Sequence, residues 1–293
     1  MIERFVTEKI CDLGQAAEPE RWAPLRRLAG VLAFKQFPDG RFHDGHWWRG
    51  PLLYSLARRI RPRHVLEFGT GRGYAAACVA QASLDGGFDC TVWSVDALPH
   101  DRAQSWAFEL PGGAALRRMT RAEVWAAYLP AELAQRIRCL TGDSRSVMRR
   151  WKAEGLPTVD LCFIDGGHDA WTVTHDFLAA LRVASRGCTF LFDDYTDRKG
   201  YGVKRLVDRR VAARFAPEAV EILDMGCHDR TVHGEDVPHK MALIQGSWIG
   251  EDPLAQFCSP RRAAWFDRAY RTYDAARRLR WRVRVEIRPG AGR

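Results

Sequence analysis

The stretch Val159-Asp-Leu-Cys-Phe-Ile-Asp-Gly-Gly-His168, with its counterpart Phe190-Leu-Phe-Asp-Asp-Tyr195, decides the fold. Each is a short apolar run, rich in β-branched and aromatic residues, that ends in carboxylates, as is typical of a buried parallel strand. Between them, Trp171 to Ala184 carries apolar residues at helical spacing. A strand, a helix and a strand in this order form a right-handed crossover, so the two strands are predicted to lie side by side. The sequence therefore predicts an α/β protein with a doubly wound, mostly parallel sheet.

Three carboxylates and one imidazole are predicted to meet at one edge of this sheet. Asp165 ends the first strand, Asp193 and Asp194 end the second, and His168 follows Asp165 by three residues. Hard oxygen ligands of this kind suit magnesium, manganese or calcium better than zinc. The pattern predicts a metal site with a neighbouring base. The alternative, in which the acids cap helices and the histidine bonds a loop carbonyl, stays open.

A glycine-rich turn follows an earlier strand. His64-Val-Leu-Glu-Phe-Gly69-Thr-Gly71-Arg-Gly73 is typical of a buried strand, a tight turn and the start of a helix, whose free N–H groups can face a ligand. Nicotinamide enzymes use a related loop. However, Glu67 stands two residues before the first glycine, where it would repel a pyrophosphate and tolerate a cationic cofactor. The turn therefore predicts a cofactor site and leaves an NAD(P)-dependent oxidoreductase as an alternative.

Two later strands add polar residues to this cofactor site. The strand Thr91-Val-Trp-Ser-Val-Asp96 ends in an acid at the place where a doubly wound sheet carries its ribose-binding carboxylate. After the strand that begins at Arg138, Asp143 can hold an exocyclic amino group and Ser144 can meet the ring. The alternatives are that Asp96 caps a helix, and that Asp143 or Ser144 caps the helix that follows.

Composition limits the class of protein. The chain has 293 residues, of which 46% are hydrophobic, so it can form one large α/β domain with additions. No apolar run approaches the length of a transmembrane helix, and the first residues lack a signal-peptide pattern. The eight cysteines form no CxxC pair, which predicts reduced thiols in the cytoplasm rather than zinc ligands or disulfides. The net charge of +9 favours anionic partners, but much of the excess follows Pro260.

The flanking segments are less informative. Residues 1 to about 50 are predicted to be irregular apart from a possible helix from Trp22 to Phe34, and they could form a lid or a stabilising cap. Residues 97–136 exceed an ordinary crossover, so part of them could cover a substrate. The arginine-rich segment Ser259 to Arg288 is predicted to be an amphipathic helix that docks on its own domain or on a partner subunit.

Two further strands are predicted at Val220–Asp224 and Lys240–Gln245. A polar loop joins them, and its histidines suggest a metal site, but their spacing fits no tight motif. The loop is therefore predicted to be exposed to solvent; its candidate ligands are Cys227, His228, His233 and His239.

These segments, in this order, resemble class I S-adenosylmethionine-dependent methyltransferases, and the resemblance extends over about 65 to 245. Glu67-Phe-Gly-Thr-Gly-Arg-Gly73 matches the first cofactor motif of that family. The resemblance implies S-adenosyl-L-methionine as cofactor and a Rossmann-like, seven-stranded sheet in residues 61–250, between an N-terminal extension or lid (1–60) and a basic helical tail (251–293). The residues assigned to the cofactor are Glu67, Gly69, Thr70, Gly71, Gly73, Asp96, Asp143, Ser144 and Asp165.

More narrowly, the two acidic motifs resemble those of the metal-dependent sugar and small-molecule O-methyltransferases of the macrocin and mycinamicin type. In that family the first acid and the later acidic pair bind magnesium, and the histidine is the general base. At matching positions, this implies Asp165, Asp193 and Asp194 as ligands of Mg²⁺ (or Mn²⁺ or Ca²⁺), and His168 and Asp165 as catalytic residues. A metal lowers the pKa of an alcohol, and a histidine can take its proton near neutral pH.

The predicted function is thus methyl transfer to an oxygen of a hydroxylated small molecule, a sugar or phenol with neighbouring hydroxyls. A nucleic-acid methyltransferase or RNA-binding protein is an alternative that the charge and the tail favour, although the chain lacks an Asn-Pro-Pro-Tyr-type motif. A non-catalytic scaffold with a retained cofactor pocket is a third. We expect a cytoplasmic protein whose partner is a small molecule and not nucleic acid; assembly into a homo-oligomer stays open.

Overall fold

The computed structural model describes residues 1–36, 40–43, 47–230 and 236–286. Its strands are β1 (Ile2–Phe5), β2 (Lys35–Gln36), β3 (Phe42–His43), β4 (His64–Phe68), β5 (Thr91–Asp96), β6 (Gln104–Leu110), β7 (Gly113–Met119), β8 (Ile137–Thr141), β9 (Val159–Ile164), β10 (Ala184–Phe192), β11 (Val220–Arg230) and β12 (Asp236–Ile244).

The helices lie between and after these strands. They are α1 (Val6–Asp12), α2 (Ala23–Leu32), α3 (Arg49–Ile60), α4 (Tyr74–Gly86), α5 (Arg121–Tyr128), α6 (Ala131–Ala134), α7 (Ser144–Ala153), α8 (Ala170–Leu181), α9 (Val203–Leu206), α10 (Ala212–Phe215), α11 (Pro253–Phe257) and α12 (Pro260–Glu286). A π-helical turn, Val207–Val211, joins α9 to α10.

The main sheet has the order β1-β11-β12-β10-β9-β4-β5-β8. Strands β8, β5, β4, β9 and β10 are parallel, and β12 is antiparallel to both of its neighbours. The chain runs outward from β4 through β5 to β8 and then returns to β9 on the other side of β4. This reversal opens a crevice at the carboxyl ends of β4 and β9, which is where doubly wound sheets bind their ligands. The predicted fold class is confirmed.

An eighth strand extends the predicted seven. β1 pairs in parallel with β11, with Ile2 opposite Glu221. The prediction that the first residues are irregular is therefore wrong here, although the predicted helix from Trp22 to Phe34 matches α2 closely. β1 has no signal in the sequence because an edge strand of four residues with solvent-exposed side chains shows no alternation: Ile2 is 57% exposed.

The long segment between β5 and β8 contains an antiparallel hairpin, β6–β7, before α5. Its turn lies at Pro111 and Gly112. The hairpin stands apart from the main sheet and contacts α2. This extra hairpin explains why the segment exceeds an ordinary crossover.

The predicted loop after β11 is shorter than expected. β11 and β12 continue past their apolar residues, so His228 lies in β11 and His239 lies in β12. His239 is only 3% exposed, and the prediction of a solvent-exposed histidine is wrong at this position. The error arose because these strands extend into polar sequence. His233 lies outside the described residues.

Apolar layers cover both faces of the sheet. Helices α3 and α4 pack on one face and α7 and α8 on the other. Cys78, Cys162 and Cys188 are completely buried in these layers. The C-terminal helix α12 docks on its own domain through Phe266 and Tyr270, which pack against α8. Among the described helices, none is long and apolar enough to cross a membrane.

Candidate active site

A cavity of about 780 Å³ opens at the carboxyl ends of β4, β5 and β9. The glycine-rich turn and the loops after β5, β8 and β9 form its floor. Its walls come from outside the sheet: Lys35 from the N-terminal segment, Trp106 from the β6–β7 hairpin, and Tyr270 and Arg277 from α12. The crevice predicted by the sheet topology is therefore enclosed by three added segments.

The glycine-rich turn brings the backbone of β4 close to that of β9. Gly69 has φ +96°, and a Cβ atom at this position would collide with the backbone carbonyl of Asp165. Its N–H donates to the carbonyl of Val95 in β5. Only glycine fits this combination of a left-handed φ and a close backbone approach. The turn is thus fixed on the two strands that flank the crevice.

Asp96 lies beside the glycine-rich turn, as predicted. Its carboxylate accepts hydrogen bonds from the N–H groups of Gly71 (3.2 Å) and Leu98 (2.8 Å), and from Nη2 of Arg121 (2.7 Å). A turn, not a helix, follows β5, so the alternative that Asp96 caps a helix is wrong. Arg121 is 1% exposed and also donates to the carbonyl of Gly71. Nothing in the sequence distinguished it from the other arginines.

Glu67 is buried at the end of β4, next to the cavity. The hydroxyl of Ser94 donates to its carboxylate and lies 2.7 Å from the hydroxyl of Thr70. Burial raises the pKa of Glu67 to about 8, against the opposing hydrogen bond from Ser94. Without a bound cation, Glu67 is therefore protonated at neutral pH.

The pKa of Glu67 predicts a pH-dependent contribution to stability. Because the folded pKa of about 8 lies above the ordinary glutamate value of 4.5, the folded chain holds this proton more tightly than the unfolded chain. The contribution is fully present below pH 4.5 and is lost as the pH rises towards 8. We expect the melting temperature of Glu67→Gln to rise relative to wild type between pH 5 and 8.5, by an amount that corresponds to a few kcal/mol, on the order of 1.4 kcal/mol per pKa unit.

Differential scanning calorimetry at several pH values measures this difference. Glu132→Gln is the matched control, since Glu132 is exposed on α6. A difference between Glu67→Gln and wild type that stays constant with pH would contradict the buried, protonated state.

Asp143 and Ser144 line the cavity but already have protein partners. Asp143 is the N-cap of α7, and its Oδ1 accepts from the N–H of Ser146 at 2.8 Å. The hydroxyl of Ser144 lies 3.0 Å from Nδ1 of His175. The capping alternative is therefore confirmed for Asp143, and contact with an adenine stays a prediction.

The three predicted acids do emerge together. β9 and β10 are neighbours in parallel register, with Ile164 opposite Phe192, so Asp165 and the pair Asp193 and Asp194 follow at the same edge. Asp194 has φ 57°, a left-handed conformation that is uncommon outside glycine and often marks functional sites.

His168 pairs with one of these acids. Its Nδ1 lies 2.7 Å from Oδ2 of Asp194, and its ring stacks on that of Tyr201 with centroids 5.0 Å apart. Its side chain is 45% exposed. The hydrogen bond with Asp194 raises the pKa of His168 above its usual value. The imidazole is therefore fixed in orientation and still open to a ligand.

An arginine that sequence reasoning missed lies between the acids. Nη1 of Arg49, in the first turn of α3, is 2.7 Å from Oδ2 of Asp165 and 2.7 Å from Oδ2 of Asp193. His239 approaches from the other side, with Nε2 2.5 Å from Oδ1 of Asp193. Neither residue stands near the acidic motifs in the sequence, and only the folded chain brings them there.

The pKa values follow from this arrangement. Burial and the charge of Asp193 raise the pKa of Asp165 to about 7, although Arg49 opposes the change. Burial acts to lower the pKa of His239, but the charge of Asp193 and the hydrogen bond with it raise this pKa to about 10. Asp193 is thus a carboxylate between two cations, and Asp165 shares one of them.

The donor set fits a divalent cation in part. Asp165, His168 and Asp194 each offer a ligand atom, and these atoms lie within 4.8 Å of one another. Asp193 and His239 form a second such group with Asp194. Both oxygens of Asp193, however, already have hydrogen-bond partners in Arg49 and His239. Asp165, His168 and Asp194 therefore have the chemistry of a metal site. Asp193, on the buried side of the cluster, is bound instead by Arg49 and His239 of the protein itself.

Comparison with known proteins agrees with this fold. Residues 66–195, from β4 to the end of the acidic cluster, match the model of a family described as a methyltransferase domain. The match confirms, for this segment, the resemblance to class I S-adenosylmethionine-dependent methyltransferases. No curated protein is significantly similar to the sequence.

Solved structures with a similar fold include an O-methyltransferase from Bacillus cereus in complex with SAH. The two sequences are 16% identical, the alignment covers 82% of this chain and 96% of that chain, and the TM-score is 0.46. TomG of Streptomyces achromogenes, an O-methyltransferase involved in tomaymycin synthesis and solved with SAM, has 20% identity, covers 78% and 99% of the two chains, and gives a TM-score of 0.44. CalS11, a TDP-rhamnose 3'-O-methyltransferase of calicheamicin biosynthesis, has 17% identity, 82% and 92% coverage, and a TM-score of 0.42. These likenesses are too distant to assign a substrate.

Proposed function

We propose that this protein uses S-adenosyl-L-methionine to methylate an oxygen of a hydroxylated small molecule, a sugar or phenol with neighbouring hydroxyls. One observation carries the proposal: a single cavity joins the glycine-rich turn and Asp96 to Asp165 of the acidic cluster. A cofactor held by the turn and an acceptor held at the cluster would therefore meet in the same cavity.

The cofactor site uses the residues around β4 and β5. The backbone of Gly69 to Gly73 approaches the cofactor closely, and Asp96, held in place by Arg121, accepts hydrogen bonds from the ribose hydroxyls. Glu67 is a buried acid that a sulfonium cation would stabilise in its ionised form. Gly71 and Thr70 complete the turn, and both line the cavity.

His168 serves as the general base. With its Nδ1–H donating to Asp194, Nε2 is left to accept the proton of the acceptor hydroxyl. The acceptor oxygen forms a bond to the methyl carbon as the carbon–sulfur bond breaks, and the hydroxyl proton passes to His168. The products are the methyl ether and S-adenosylhomocysteine. Alignment of the two reactants in the cavity also raises the rate.

The proposed metal ligands are Asp165, Asp193 and Asp194. A divalent cation, when bound, lowers the pKa of a coordinated hydroxyl and orients vicinal hydroxyls. Asp165 and Asp194 support this role best, since together with His168 they offer atoms within 4.8 Å of one another on the open side of the cluster.

A second candidate is methyl transfer without a metal. It is favoured by Arg49, whose Nη1 already bridges Asp165 and Asp193 at 2.7 Å from each. A fixed guanidinium provides positive charge at the same acids with no need for an added ion. In this version His168 and the charge of Arg49 act together on the acceptor.

The segments outside the sheet are proposed to select the acceptor. Lys35 and Gln36 of the N-terminal extension (1–60) line the cavity, and so does Arg277 of the C-terminal tail (251–293). Substrate selectivity would then depend on these two segments and on the β6–β7 hairpin.

Calorimetric titration with S-adenosyl-L-methionine, with and without magnesium, tests both versions. We expect the wild type to bind the cofactor, and Asp193→Ala to lose magnesium binding but keep the cofactor, with Asp197→Ala on the exposed loop as the control. Failure of the wild type to bind the cofactor would overturn the proposed function. Cofactor binding and turnover without any bound metal would select the version in which Arg49 supplies the charge.

A further inference from the structure

Asp176 is a buried acid that the proposed mechanism does not use. It lies in α8, is 3% exposed, and its side chain lines the main cavity. No described residue forms a hydrogen bond with its carboxylate; Nδ1 of His175 lies 3.9 Å from Oδ1. A polar group in a cavity that has no hydrogen bond from the protein is available to a ligand bound there.

The position of Asp176 in the cavity defines what can reach it. A Cβ atom at Gly166 would lie 2.9 Å from Oδ2 of Asp176, so the carboxylate sits directly beneath the loop that follows β9. Its chain neighbour His175 contacts Ser144 at the loop after β8. Asp176 therefore faces the cavity between the loops after β8 and β9, on the side of the predicted adenine position.

The acid predicted for the adenine amino group is already engaged. Oδ1 of Asp143 caps α7 through the N–H of Ser146, and the hydroxyl of Ser144 is bound to His175. A carboxylate that only accepts hydrogen bonds matches an exocyclic amino group, which only donates them. Asp143 accepts a hydrogen bond from the protein, whereas Asp176 accepts none from any described residue.

We infer that Asp176 accepts a hydrogen bond from the exocyclic amino group of the cofactor's adenine and selects for that base. Asp143 then acts as a helix cap that shapes the loop. The inference rests on the proposed function, because it requires an adenine-containing cofactor in this cavity. It assigns selectivity for the adenine base to Asp176 in α8 instead of Asp143 in the loop after β8.

A cycle of four affinities tests the assignment. S-adenosylhomocysteine and its 6-desamino analogue, in which hydrogen replaces the amino group, are titrated into the wild type and Asp176→Ala. We expect the wild type to bind the analogue about 10- to 100-fold more weakly, because the buried acid is left unpaired. Asp176→Ala should bind S-adenosylhomocysteine more weakly by a similar factor and no longer distinguish the two ligands.

Asp143→Ala is the matched control and should keep the discrimination of the wild type. Asp176→Asn, which keeps the shape and removes the charge, serves if the alanine variant does not fold, and its discrimination should be weaker than that of the wild type. If Asp176→Ala or Asp176→Asn discriminates as well as the wild type, or if Asp143→Ala alone loses discrimination, the inference is overturned. If the wild type binds both ligands equally, the inference fails while the cofactor assignment stands; if it binds neither, both fail.

Discussion

Replacement of His168 by glutamine lowers kcat about 100- to 10,000-fold, the contribution of a positioned general base. The dissociation constant of S-adenosylhomocysteine should stay unchanged, because His168 is paired with Asp194 and does not touch the glycine-rich turn.

The pH dependence of the wild-type rate has a definite sign. Only the neutral imidazole accepts a proton, and Asp194 raises the pKa of His168 above its usual 6.5. The rate of the wild type should therefore rise with pH and level off above that value.

Steady-state kinetics with an acceptor that the wild type methylates measure both effects. His228→Gln is the control, since the side chain of His228 is exposed on β11. An unchanged kcat in His168→Gln, or a rate that falls as the pH rises from 5 to 8, would remove His168 from the mechanism.

Replacement of Arg49 by methionine is expected to lower the free energy of unfolding by about 3–5 kcal/mol in the absence of metal, the usual effect of removing one partner from a buried charge pair. The loss follows from geometry, because the same nitrogen bridges Asp165 and Asp193. With that cation gone, the acids should bind Mn²⁺ at least about 10-fold more tightly than in the wild type, and bound Mn²⁺ should restore stability.

Urea unfolding followed by tryptophan fluorescence, and Mn²⁺ titration by electron paramagnetic resonance, measure the two quantities. Arg59→Met on the exposed face of α3 is the control, and Arg49→Lys keeps the charge if the methionine variant does not fold. Stability equal to that of the wild type would show that Arg49 does not compensate the acids. Lost stability without any gain in Mn²⁺ affinity would exclude them as metal ligands.

The parts of the site that the sequence predicted are those coded by local patterns. Each acid ends a strand whose apolar run is visible in the sequence, and adjacent parallel strands must deliver their ends to the same edge. Glu67, Asp96 and the glycines follow the same logic around β4 and β5. The right-handed crossover predicts that β9 and β10 are neighbours, and the structure confirms it.

The parts that the sequence did not predict depend on contacts between distant segments. Arg49 and His239 lie 116 and 74 residues from Asp165, and both reach the cluster only because α3 and β12 pack around β10. Arg121 is one of many arginines in a basic chain, and only its burial beside Asp96 distinguishes it. Charge compensation inside a protein is decided by tertiary packing, which leaves no periodic signal in the sequence.

Arg72, within the glycine-rich turn, is buried and donates to two backbone carbonyls, that of Phe34 in the N-terminal segment and that of Ala107 in the β6–β7 hairpin. Burial lowers its pKa to about 10, so it remains charged at neutral pH. Both acceptors belong to the main chain, which every amino acid provides. Mutations of the side chains in these two wall segments can therefore alter which acceptor fits the cavity. The hydrogen bonds that attach both segments to the glycine-rich turn do not depend on those side chains and would be kept.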